Sequence, residues 1–233
     1  MEIRENMKVT SIILSAGKGK RMNSTISKQY MMLNGKPLIY YTLKAFETSI
    51  TDDIIIVTGA DDKDYIRNEI VEKYEFKKVS KIVSGGKERY NSSYNGILAA
   101  DDADYVLIHD AARPCITQEN IDELIHSVKQ YKACIPGVPV KDTIKIANEN
   151  GEVTDTPDRN KLWQIQTPQA FDRELILDAY HKMIAKKDYL VTDDSMVVEK
   201  FSDIKVRIIV GEYTNIKVTT PEDMRIVEKM IKK

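Results

Sequence analysis

The sequence predicts an α/β fold in which a mostly parallel sheet carries helices on both faces. Three observations predict it. Short apolar runs recur along the chain, helical periodicity lies between many of them, and no repeat or low-complexity segment interrupts the pattern. Residues 10–14, 54–58, 81–83, 105–109 and 133–136 read as buried strands. Residues 38–47, 63–74, 89–100 and 118–131 read as helices between them. Two later runs, 206–210 and 215–218, read as further strands. A last helix has a start signal: Thr220 can cap it, Pro221 suits its first position, and Glu222 and Asp223 favour the positive end of its dipole. One stretch breaks the alternation. Residues 138–146 read as a strand, Asn150-Gly151 as a tight turn, and 153–163 as a returning strand. Residues 138–163 would then form an arm projecting from the sheet; an ordinary surface hairpin is the equal alternative.

The 233 residues suit one domain, and 42% apolar with 30% charged residues can fill a core while leaving a polar surface. With 35 basic against 36 acidic residues the formal charge is −1, which argues against general nucleic-acid binding but leaves room for a local basic pocket. The longest uncharged run, residues 90–100, is far short of a membrane span, and residues 1–6 hold no apolar signal core. A cytoplasmic protein without membrane partners is expected. Cys115, Cys134 and three scattered histidines have no zinc-site spacing.

In open parallel sheets ligands bind beyond the C-terminal strand ends, so the residues after each run carry the functional reading. The first run is followed by Ser15-Ala16-Gly17-Lys18-Gly19-Lys20-Arg21-Met22, then Lys28. Glycines here let backbone N–H groups approach phosphate oxygens. Met22 stands where a dinucleotide fingerprint needs its third glycine, and no acid lies between Gly19 and Glu47. A single residue between the glycines excludes a Walker loop. A glycine loop carrying Arg21 and Lys28 remains; two cations there could offset charge at a phosphorus under attack. Taken alone, the glycines also read as a plain turn and the cations as surface charges. Asp110, at the end of the fourth run, could hold Mg²⁺ or simply cap a turn. Gly85-Gly86, ahead of a helix carrying Ser92, suits close approach to a base, or a loop and cap.

These motifs carry a resemblance. Ala16-Gly17-x-Gly19-x-Arg21-Met22 with Lys28-Gln29-Tyr30 is similar to the signature of sugar-phosphate and polyol-phosphate nucleotidyltransferases, and the Lys-Gln-Tyr part to their cytidylyltransferase branch. His109-Asp110-Ala111-Ala112-Arg113-Pro114 resembles the metal-binding motif of the 2-C-methyl-D-erythritol 4-phosphate cytidylyltransferases. Residues 139–145, 158–171 and 215–223 match the same family in order, and the matches span nearly the whole chain. Ser15, Ser27, Lys87 and Ser195-Met196 depart from the usual residues.

The resemblance implies a Rossmann-like sheet of the nucleotide-diphospho-sugar transferase type over residues 1–233, with residues 138–163 as an arm for dimer contact. It implies CTP as co-substrate, Mg²⁺ on Asp110, and a small polyol phosphate as acceptor. Arg21, Lys28, Arg159 and Lys217 would be catalytic. Ala16, Gly17, Gly19, Gly86, Arg89, Ser92, Asp110 and Ala111 would bind the nucleotide. Arg113, Thr143, Arg159, Thr167 and Lys217 would bind the acceptor, with Thr143 and Arg159 reaching a neighbouring subunit's site. The favoured acceptor is 2-C-methyl-D-erythritol 4-phosphate, of the non-mevalonate isoprenoid pathway; the alternative is ribitol 5-phosphate. Other readings are a nucleotide-binding regulator without activity and, against Met22 and the missing acid, a dinucleotide-dependent oxidoreductase.

Overall fold

The computed structural model describes residues 7–17 and 27–231. In chain order the elements are β1 (Val9–Ser15), a 3₁₀ turn at Lys28–Tyr30, β2 (Met32–Leu33), β3 (Lys36–Pro37), α1 (Leu38–Thr48) and β4 (Asp53–Thr58). Then come α2 (Lys63–Tyr65), running into a wider π-helical segment Ile66–Glu72, β5 (Val79–Ser84), α3 (Arg89–Ala99), β6 (Tyr105–Asp110), α4 (Gln118–Tyr131) and β7 (Ala133–Pro139). After the short β8 (Ile146–Ala147) and β9 (Val153–Asp155) follow β10 (Trp163–Ile165), β11 (Gln169–Asp172), α5 (Arg173–Lys186), α6 (Asp194–Phe201), β12 (Arg207–Val210) and α7 (Pro221–Ile231).

β1 lies between β4 and β6 and runs parallel to both, and β5 extends the parallel set beyond β4. β11 runs antiparallel between β6 and β7, β10 continues antiparallel along β7, and β12 pairs parallel with β7. The sheet is mixed, with a parallel core. Its central strands are apolar at successive positions because both faces are covered. Ile13, Ile54, Ile56 and Leu107 pack with Ile39, Leu43 and Phe46 of α1 and with the Ile121, Leu124, Ile125, Val128 stripe of α4. The alternate residues Ile12, Ile55, Val57, Val106 and Ile108 pack on the other face with Ile97 of α3, Ile176, Tyr180 and Met183 of α5, and Val197 of α6. Each fully buried isoleucine is worth about 1.5–3 kcal/mol over its exposed state.

The structure departs from the expected elements in three places. Residues 215–218 form no strand. Asn215 is fixed by side-chain bonds instead, donating its amide to the Thr167 carbonyl at 2.9 Å, while Val218 N–H reaches the Ala112 carbonyl at 2.8 Å. The arm's two long strands are also broken. β7 pairs with β10 only as far as Pro139 opposite Trp163, and beyond that the sole ladder is β8 with β9. The turn between β8 and β9 closes by Gly151 N–H to the Asn148 carbonyl at 3.0 Å, with Gly151 alone in the left-handed region at φ +80°. It is a longer loop ending in a left-handed glycine rather than a two-residue turn. Finally, β11, α5 and α6 were not expected.

Candidate active site

A cleft opens at the C-terminal ends of β1, β5 and β6. Among the described residues it is lined by Ser15, Ala16 and Gly17 after β1, Gly86 to Arg89 and Ser92 after β5, Asp110 and Ala111 at the end of β6, and Lys28 and Lys217 from either side. The topology explains the convergence: parallel strands end at one edge of the sheet, and each hands its next residue to that edge.

Asp110 is the centre of the cleft floor. Its Oδ2 accepts a 2.6 Å bond from Lys217 Nζ, and its Oδ1 a 3.2 Å bond from Arg89 Nε. Burial alone would raise its carboxyl pKa; the Arg89 and Lys217 cations outweigh that and hold it well below the usual carboxylate range. The group is therefore an anion with two cations on it, in a cleft able to take more charge.

Behind Asp110 stands a buried frame. The Asp110 N–H donates to Thr167 Oγ1 at 3.1 Å, and Thr167 Oγ1 lies 3.0 Å from His109 Nδ1. His109 Nε2 lies 3.3 Å from the Arg113 carbonyl, which can only accept, so that nitrogen carries the proton and Nδ1 accepts from Thr167. Burial keeps the ring neutral by pushing its pKa down to about 3. Arg113 Nη1 donates to the Asn215 carbonyl at 2.7 Å, and its buried Nε has no protein partner.

The loops after β1 and β5 are held by short local bonds. Gly86 N–H donates to Ser92 Oγ at 3.1 Å. A Cβ on Gly85 would come within 2.5 Å of the Ala16 side chain, so only glycine lets the loops after β1 and β5 meet. Lys28 sits on the 3₁₀ turn and donates from Nζ to the Val218 carbonyl at 2.9 Å. The next residue, Gln29, is buried and donates to the Ser15 carbonyl at 2.6 Å, tying that turn to the end of β1.

This cleft has known counterparts. The family model described as IspD: 2-C-methyl-D-erythritol 4-phosphate cytidylyltransferase matches residues 9–233. The chain belongs to that family. A 2-C-methyl-D-erythritol 4-phosphate cytidylyltransferase of Lachnoclostridium phytofermentans is 48% identical over 225 residues, covering 97% of each chain. One from Clostridium botulinum (strain Eklund 17B / Type B) is 50% identical over 224 residues, covering 96% of this chain and 99% of the other. Among solved structures, 4-diphosphocytidyl-2C-methyl-D-erythritol synthase of Anaerococcus prevotii DSM 20548 is similar with a TM-score of 0.86 at 36% identity, over 97% of each chain.

Within this cytidylyltransferase, the expected site residues fall into four groups. Ala16, Gly17, Lys28, Gly86, Arg89, Ser92, Asp110, Ala111 and Lys217 line one cleft. Thr167 and Arg113 sit behind Asp110 in the frame. Thr143 and Arg159 are exposed on the arm and are not among the cleft-lining residues; Arg159 Nη1 bonds the Lys141 carbonyl at 3.0 Å. Gly19 and Arg21 lie outside the described residues.

Sequence reasoning missed some of the machinery. His109 was read only as part of a motif and a scattered histidine. Asp194 enters the sequence reading only within the segment 192–196 and Tyr180 carries no motif, although Asp193-Asp194 before an apolar helix is a readable cap signal. Nothing in the sequence placed Asp194 beside Arg89.

Proposed function

We propose that this chain transfers CMP from CTP to the phosphate of 2-C-methyl-D-erythritol 4-phosphate, releasing pyrophosphate and forming 4-diphosphocytidyl-2-C-methyl-D-erythritol. An acceptor phosphate oxygen attacks the α-phosphorus of CTP, and pyrophosphate leaves in line. The nucleophile is already an anion, so no general base and no covalent enzyme intermediate are needed. Catalysis is then positioning and charge stabilisation. Backbone N–H groups near Gly17 and Gly86 take phosphate and base. Lys217 and Lys28 face the reacting phosphates, joined in this reading by Arg21. Arg113, in the frame behind Asp110, is the further cation assigned to the acceptor phosphate in this reading.

The observation that carries this reading is the Lys217–Asp110–Arg89 cluster on the cleft floor beside the glycine loops. The relatives at 48–50% identity support the acceptor, and the ribitol 5-phosphate alternative is not favoured. Asp110 suits Mg²⁺, because it is an ionised carboxylate and Mg²⁺ is commonly bound by one or two carboxylates with phosphates and waters. When bound there, Mg²⁺ would offset phosphate charge.

Residues 1–233 act in this reading as one nucleotidyltransferase domain. The arm, residues 138–163, serves a homodimer, bringing Thr143 and Arg159 to the partner's cleft. Exposed apolar side chains on the arm, Ile144, Ile146, Val153 and Trp163, support that contact. The protein acts in the cytoplasm; Cys115 and Cys134 are free thiols, in keeping with a reducing compartment. No helix among the described residues is long and apolar enough to cross a membrane. The test is pyrophosphate release from CTP with each acceptor in turn. Release is expected with methylerythritol phosphate; release with ribitol 5-phosphate alone overturns the assignment.

A further inference from the structure

Arg89 sits where local physics disfavours it. It is the first residue of α3, at the positive end of the helix dipole; Glu88 before it caps the helix, accepting from the Asn91 N–H, and the first turn itself holds no acid. Two carboxylates offset the conflict. Nε donates to Asp110 Oδ1 at 3.2 Å, and Nη1 lies 2.8 Å from Asp194 Oδ2, a close ion pair whose angle falls short of a hydrogen bond. Asp194 is wholly buried, and it opens α6, where a carboxylate is favoured. The Tyr180 hydroxyl, also buried, donates to Asp194 Oδ1 at 2.7 Å and fixes which oxygen meets Arg89. The chain Tyr180–Asp194–Arg89–Asp110 thus runs from the interior beneath α5 and α6 to the cleft floor. A buried ion pair is weak evidence for stability, since an apolar substitute often does as well; a positional use is the better-attested reason to keep one.

We propose that Asp194 is a positioning residue for the reaction: it holds the Arg89 guanidinium by one nitrogen so that another faces Asp110. Resting on the reaction proposed above, this inference assigns a role to a residue outside the cleft. Asp194 divides Arg89 between two anions. Without it, the guanidinium is free to pivot, and both the direction and the strength of its bond to Asp110 change.

The test is a double-mutant cycle of Asp194→Asn with Arg89→Gln, with Asp194→Glu and Tyr180→Phe as companions. Asp194→Asn keeps the volume and an acceptor for Tyr180. It is expected to lower kcat/KM by about 100-fold, and also to lower the unfolding temperature, because part of the Arg89 charge is left unpaired. Tyr180→Phe should give a smaller loss, and Asp194→Glu should recover part of the activity. In the double variant the losses should not add. Independently of turnover, the Arg89 Nε–H resonance in ¹⁵N NMR should be slow to exchange in the wild type and averaged with solvent in Asp194→Asn. Additive losses, or an unchanged Nε–H resonance, would overturn the inference. A wild type that fails to turn over methylerythritol phosphate instead refutes the reaction assignment, and the resonance still decides the role of Asp194. Should Asp194→Asn not fold, Tyr180→Phe carries the same two measurements.

Discussion

The cleft floor and the arm are built on opposite plans. Around Asp110, groups from distant elements hold one another: Lys217 and Arg89 on the carboxylate, Thr167 on its N–H, and His109 on Thr167. The arm beyond Pro139 has one short ladder, an exposed surface, and a latch at its base. There the Tyr213 hydroxyl donates to the Pro139 carbonyl at 2.8 Å, and Lys141 Nζ lies 3.5 Å over the Tyr213 ring. The difference teaches that bonds between distant elements hold the cleft floor, whereas the arm beyond Pro139 is held by its own local bonds. In the proposed function a second copy packs against the arm.

The sharpest break in the comparison comes from Lys217→Ala. Removing a preorganised cation from the reacting phosphates should cost about 10²–10³ in kcat. Steady-state pyrophosphate release checks it, with circular dichroism confirming the fold. The next outcome concerns the arm. Arg159→Ala should also be nearly inactive alone. Mixed and refolded with Lys217→Ala chains, it should regain roughly a quarter of wild-type activity, because half the dimers are mixed and each holds one intact site. No recovery would place Arg159 in its own chain's site and end the contrast between the two regions. A smaller effect is expected at the latch. Tyr213→Leu should raise the acceptor KM several-fold and leave the KM for CTP unchanged.

His109 gives a pH signature that belongs to the cleft side alone. The folded ring resists protonation down to about pH 3, whereas an unfolded histidine takes a proton near its ordinary pKa of 6.5. Its contribution to stability is therefore complete above about pH 6.5 and is lost as pH falls towards 3, at about 1.4 kcal/mol per unit. Between pH 7 and pH 5, the wild type should lose about 2 kcal/mol more stability than His109→Gln, as read by urea unfolding. The smallest effect is expected at Gly151→Ala. The left-handed φ costs about 1 kcal/mol, so Tm should fall by only about 2–4 °C.

Much of the cleft could be read from residues because strand ends are predictable. The runs ending at Leu14 and His109 extend by one residue in the structure, to Ser15 and Asp110, and the motif residues sit where those strands stop. α4 matches its expected span because its apolar stripe and the Thr117 cap, which accepts from Asn120 N–H, agree. The illegible parts share a cause: their structure is set by distant partners. β11 is four residues long and exists because β6 and β7 flank it. Residues 215–218 have a strand's composition, yet side-chain bonds to Gln166 and Thr167 hold them instead of a ladder. α5 by contrast is written in local sequence, for Asp172 caps it and Ile176, Ala179, Tyr180 and Met183 form its inward stripe. The Arg89–Asp194 pair spans more than a hundred positions, and no local pattern encodes such a meeting.

The fastening of Lys217 ties the cleft floor to a segment far away in the chain. Lys217 reaches Asp110, Val218 N–H reaches Ala112, and the Val218 carbonyl receives Lys28. Removal of residues 214–233 would leave the glycines after β1 and β5 in place, yet Asp110 would lose one of its two counter-ions. The charge balance of the cleft floor thus depends on a segment more than a hundred positions away from the carboxylate it neutralises.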